Sequence, residues 1–164
     1  MRGLNVRFAS WPFMLVALAA LLAQAPPSSP YSLTISARTG AAVGTAVTVQ
    51  ITLENISPGD VTFVKSRAEL SYDVAVVTAL GAPVMLTPYG RSLHGQPTTP
   101  PIMIRDSPHE VTLKPHQKIV DTIALNKIYQ LAPGDYIVQV HKRQLNNAVP
   151  NVASNPLKLT IASN

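Results

Sequence analysis

NKIYQLAPGDYIVQV, residues 126–140, decides how this chain folds. Tyr136, Val138 and Val140 take every second position, which is the two-residue period of a strand. The stretch Leu131-Ala132-Pro133-Gly134-Asp135 just before it reads as a tight corner. Proline presets one backbone angle there, and glycine reaches conformations other residues avoid. A tyrosine that opens a strand straight after such a corner can turn its phenol back onto the corner's own backbone. Pro133, Gly134 and Tyr136 are therefore expected to form a structural corner. The Tyr136 ring should be buried, with its hydroxyl bonded near residues 130–133. The alternative is an ordinary surface turn followed by a strand with a core tyrosine. Tyr129, six residues upstream of Asp135, is expected to be partly exposed.

Working outward, the same period recurs. Tyr31, Leu33, Ile35 and Ala37 alternate with Ser and Thr. Val47, Val49, Ile51 and Leu53 alternate with Thr48, Gln50 and Thr52 and should face one core. Residues 55–60 contain Ser-Pro-Gly-Asp and read as a turn. Val61 to Lys65, then Leu70, Tyr72, Val74 and Val76, follow as strands, and Val84 to Leu86 as a hairpin partner. Val111 and Leu113, then Ile119, Ile123 and Leu125, then Leu157, Leu159 and Ile161, supply the rest. Asn126 to Leu131 has room for one helical turn. Seven of the fifteen prolines fall between residues 83 and 115. Proline removes a ladder donor, so residues 88–101 are expected to be a long surface loop, with Ile102 to Ile104 a short edge strand. No segment after residue 25 sustains a helical period. Short strands with regular turn signals predict an all-β fold: a single antiparallel immunoglobulin-like β-sandwich of about 7–9 strands.

The N-terminus has its own logic. Arg2 and Arg7 precede an almost wholly apolar run, Trp11 to Ala23, and Ala23-Gln24-Ala25 has the small-x-small form of a cleavage site. This is the layout of a signal peptide over residues 1–25, with retention as an N-terminal anchor the alternative. A Pro/Ser-rich leader, 26–30, and a sandwich domain, 31–164, would follow. The expected location is secreted or periplasmic, with no other membrane association. Removing residues 1–25 lowers the formal net charge from +5 to +3, because Arg2 and Arg7 leave with it. No run of Lys or Arg exists, so a nucleic-acid partner is not expected. There is no cysteine. Disulfides, thiolate metal sites, cysteine nucleophiles and lipidated cysteines are excluded, and packing alone must hold the fold.

A wider resemblance rests on the order of these pieces. VTVQITLENISPGDVTF (47–63), ELSYDVAVVTALGAPV (69–84), LKPHQKIVDTIAL (113–125) and APGDYIVQV (132–140) together resemble the bacterial proteinase-inhibitor (BsuPI-like) type of immunoglobulin-like domain. LAPGDY (131–136) is also similar to the tyrosine corner of fibronectin type III domains, one residue shorter. The resemblance implies the sandwich architecture and, more weakly, inhibition of a proteinase. His116 stands where the pattern places Gly after Pro115, and the proline-rich stretch departs from it.

Chemistry-bearing candidates are sparse. His94, His109 and His116 are the alternative reading, a small copper- or zinc-binding accessory domain, although Pro108 and Pro115 place two of them in loops. Met85, His94 and Met103 would be a soft-metal set, but both methionines sit in apolar triplets and are expected in the core. Ser92 and His94 lack an orienting acid, and the aspartates are scattered. No catalytic residue and no cofactor is expected. Tyr89 and Tyr129 are too few to form a carbohydrate platform. Asn55-Ile56-Ser57 is a formal glycosylation sequon followed by Pro58. What remains is a non-catalytic binding module that presents the 88–101 loop to another protein. Tyr89, Arg91 and His94 are its contact residues, since Tyr and Arg are enriched where interface energy concentrates.

Overall fold

The computed structural model describes residues 29–37, 41–42, 45–143 and 152–163. The expected signal peptide lies outside the described residues, as does most of the leader. Nine strands are described in chain order: β1 (Tyr31–Ala37), β2 (Ala41–Ala42), β3 (Thr48–Asn55), β4 (Val61–Lys65), β5 (Tyr72–Thr78), β6 (His109–Leu113), β7 (Lys118–Ala124), β8 (Gly134–Lys142) and β9 (Leu157–Ala162). The helices are single turns or little more: α1 (Ala68–Ser71), α2 (Pro88–Leu93) and α3 (Leu125–Ile128). Among the described residues no helix is long and apolar enough to cross a membrane.

The strands form a sandwich. One sheet runs β1-β3-β7 and the other β2-β9-β8-β5, with a separate two-stranded β4-β6 sheet. Every pairing is antiparallel except the two-residue contact of β2 with β9. The period of two explains the core. Val47, Val49, Ile51 and Leu53 are buried, while Gln50 between them is exposed. The opposite sheet answers with Val74, Val76, Tyr136, Val138, Val140, Leu159 and Ile161, all in the same apolar cluster. A slip of one residue in β3 would put Thr48, Gln50 and Thr52 into that core, so burial fixes the register.

The corner forms as its sequence implies. Tyr136 is buried, and its hydroxyl donates to the Ala132 carbonyl at 2.8 Å. The same oxygen accepts from the Ala132 N–H at 3.1 Å. Gly134 takes φ 149°, where a side chain is disfavoured.

At the other end Asn55 is the organiser. It is 0% exposed, and all of its side-chain capacity is used. Its Nδ2 donates to the carbonyls of Gly59 and Leu113, each at 2.8 Å. Its Oδ1 accepts from the Ser57 N–H at 2.9 Å and the Ser57 hydroxyl at 2.7 Å. Its backbone meets the β6–β7 turn, donating to Gln117 and accepting from the His116 N–H. One amide thus ties the β3–β4 turn to the end of β6. The sequon nitrogen is consumed in that tie, so the folded state does not offer it for glycosylation.

Several expectations are corrected. Leu70 does not begin β5. Residues 68–71 curl into α1, where the Ser71 hydroxyl donates to the Ser66 carbonyl at 3.0 Å and accepts from its N–H at 3.1 Å. Val84 to Leu86 is not a strand; isolated bridges, Val77↔Pro83 just before it and Leu86↔Tyr129 at its end, take the place of a ladder. Ile102 to Ile104 forms no strand either. Tyr129 is not partly exposed but buried at 6%, because α3 curls its ring inward and its hydroxyl donates to the Val74 carbonyl.

Candidate functional site

The β5–β6 crossover, residues 79–108, holds the predicted contact residues, and it is not simply a loop. Pro88–Leu93 is the helix α2. Pro88 sits at its start, where a missing N–H costs nothing. Thr87 caps it, accepting from the Gly90 N–H at 3.0 Å and donating to the Lys127 carbonyl at 2.6 Å. The close approach of α2 to α3 requires Gly90, because a Cβ there would lie 2.1 Å from the Ile128 carbonyl oxygen. Leu93 is buried, and the Ser92 hydroxyl donates to the Ile102 carbonyl at 2.7 Å. Ser92 is therefore engaged in holding the crossover together, not paired with His94.

Helical geometry separates the predicted trio. Arg91 and His94 are three residues apart, so they share a face, and both are exposed. Tyr89 points the other way. Its ring is half-buried under the Lys127 ammonium, 4.2 Å from the ring centre, and its hydroxyl is buried without a hydrogen-bond partner. Among the described residues Arg91 makes no ion pair.

The two methionines are not in the core. Met85 is 70% exposed and Met103 is 90% exposed. The reason is again the period of two. Val84 and Leu86 pack onto the core around Met85, and Ile104 packs there beside Met103. Each methionine is turned outward by its inward neighbours.

The histidines are not brought together as a metal set. His94 ends α2, and His109 opens β6 opposite Lys65, in a strand and not a loop. His116 sits in the β6–β7 turn with φ 63°, its Nδ1 4.0 Å from Glu54. Among the described residues no three His, Cys, Asp or Glu side chains are grouped to hold a metal ion.

A second polar cluster was not legible in the sequence. Lys65 of β4 pairs with Asp121 of β7 at 2.8 Å. The Tyr72 hydroxyl donates to the other Asp121 oxygen at 3.1 Å. The Lys142 ammonium lies 5.2 Å from the Phe63 ring centre and 5.3 Å from that of Tyr72, and donates to the Ser71 carbonyl at 3.3 Å. Burial holds the Lys142 amine below its ordinary pKa, and nearby Lys65 adds to this while Asp121 opposes it. With one oxygen on Lys65 and the other on Tyr72, Asp121 ties β7 both to β4 of the separate pair and to β5 of the opposite sheet. The members of the cluster lie on four different strands, 77 positions apart at the extremes (Lys65 to Lys142), with no local pattern to mark them.

The outer face of the β1-β3-β7 sheet carries a shallow hollow of about 230 Å³, lined by Ser36, Ala37, Thr48, Gln50 and Thr122. It is uncharged and smaller than ordinary small-molecule sites, which run from about 300 to 1,000 Å³. No family model matches the chain, and no curated protein is significantly similar to it.

Proposed function

We propose that this is an exported, non-catalytic binding module whose contact surface is residues 83–108 of the anchored crossover, and that its partner is another protein. One observation carries the reading. The crossover backbone is pinned to α3 and to the core, yet it turns Arg91, His94, Met85 and Met103 outward. A backbone fixed in advance adds little ordering cost of its own when the exposed side chains it carries bind. The contact set differs from the sequence expectation in three members: Tyr89 is a support beneath α2, not a contact, and the exposed Met85 and Met103 are added. Inhibition of a proteinase, implied by the family resemblance, is the narrower form of the same reading.

The test is comparative retention. Immobilised protein is exposed to the extracellular or periplasmic fraction of its source, beside an Arg91→Glu/His94→Glu variant of equal melting temperature. The reading expects a protein retained at least about tenfold more by the wild type, as loss of central interface contacts produces. Equal retention by both, or none by either, overturns it. Incubation with a panel of proteinases decides the inhibitor form.

A further inference from the structure

We propose that Met85 and Met103 form a modification site for peroxides, and that their oxidation makes the crossover surface polar while leaving the sandwich intact. Met85, at 70% exposure, and Met103, at 90%, both present their thioethers to solvent. Each is held there by its backbone. The Met85 carbonyl accepts from the Gln130 N–H at 2.8 Å, and Ile102, next to Met103, accepts from Ser92 at 2.7 Å. These ties fix the backbone, so neither residue can be turned into the core without breaking them.

The core supplies the other half of the argument. Among the described residues no methionine is buried in it, and the chain has no cysteine. The single tryptophan, Trp11, lies outside the described residues. Methionine oxidation destabilises proteins when it places a polar sulfoxide inside a core. Here both described sulfurs lie outside the core, on the crossover, so the chemistry and the fold are separated.

The step balances simply. The thioether gives two electrons to the peroxide O–O bond, which breaks. One oxygen joins sulfur as the sulfoxide, and the other leaves as water or alcohol. A dithiol reductase reverses it, with the sulfoxide oxygen leaving as water and the dithiol becoming a disulfide. The modification stands independently of the binding function; only its consequence for a partner rests on that reading.

The full chain is treated with graded hydrogen peroxide and mapped by peptide mass. Met85 and Met103 should each gain about 16 Da at a rate within about threefold of a free methionine peptide, as exposed thioethers do. The melting temperature should hold within about 2 °C, and retention on a hydrophobic-interaction column should fall. A Met85→Leu/Met103→Leu variant should show a clearly smaller fall on the same treatment, only the part owed to Met1 and Met14. Reaction of either methionine more than about tenfold slower than the free peptide would overturn the site. So would a melting temperature that drops with oxidation, or an equal fall in retention for the leucine variant. If partner retention fails in the wild type while these results hold, the binding function is wrong and the modification site stands.

Discussion

The Tyr136 phenol closes a ring with the residue four positions before it, bonding both the N–H and the carbonyl of Ala132 at 3.1 and 2.8 Å. One oxygen thus satisfies two backbone groups at a corner that has no strand partner to do so. Tyr136→Phe keeps the buried ring and removes both bonds. The expected cost is about 1 to 3 kcal/mol, read as a lower urea midpoint with an unchanged slope. A loss below about 0.5 kcal/mol would mean that water replaces the phenol without penalty.

Tyr129 belongs in the same class. Its hydroxyl donates to the Val74 carbonyl inside the core. Tyr129→Phe should cost about 1 to 2 kcal/mol and not the few tenths of a surface change. Measured beside Tyr136→Phe under identical conditions, the two should be of similar size.

Asn55→Ala strips the donors from the Gly59 and Leu113 carbonyls at a fully buried position. Two unsatisfied acceptors and a small cavity should together cost about 3 kcal/mol or more. Amide exchange should speed up first in the turns around Ser57 and His116, which Asn55 holds together.

His116→Gly should go the other way. His116 occupies φ 63° in a turn closed by the Gln117 N–H on the Lys114 carbonyl at 3.0 Å. The left-handed region costs a non-glycine residue about 1 to 2 kcal/mol. Glycine removes that strain but gains about 0.5 to 1 kcal/mol of unfolded-state freedom. The net expectation is a stabilisation of about 0.5 kcal/mol, seen as a higher thermal midpoint. A destabilised variant would show that the exposed contact with Glu54 matters more than the backbone.

Alkaline pH should destabilise the fold through its tyrosines. Burial pushes the Tyr72 phenol well above its ordinary value, and the charge of Asp121 and the hydrogen bond to it push it further. Burial also raises Tyr31, and burial together with Asp73 raises Tyr129. Unfolded tyrosines ionise near pH 10. Above that the unfolded state releases protons the folded state keeps, so stability present below about pH 10 is lost as pH rises. Lys142, whose folded pKa is lowered, acts in the opposite sense below its unfolded pKa of about 10.4. Tyr72→Phe should therefore make the decline above pH 10 shallower by about 1.4 kcal/mol per pH unit, the value of one proton. An unchanged slope would mean that Tyr72 ionises in the folded state.

The sequence by itself determined the strands that alternate, the face of β3 that enters the core, and the Tyr136 corner. These are local: a two-residue period, or a tyrosine three residues after a proline, carries its physical consequence within one short stretch. The tertiary structure alone decided the rest. Whether Met85 and Met103 were core or surface turned on which of their apolar neighbours the sheets would cover, and the composition of an apolar triplet is the same either way. Tyr129, expected to be partly exposed, is buried because α3 carries it under β5. Tyr89, Arg91 and His94 are close in sequence, but a single helical turn sends the first inward and the other two out. Asn55, Lys65, Tyr72, Asp121 and Lys142 acquire their roles only from groups far along the chain. Burial, hydrogen-bond satisfaction and charge pairing are properties of what surrounds a side chain, and that is set once the two sheets have closed on each other.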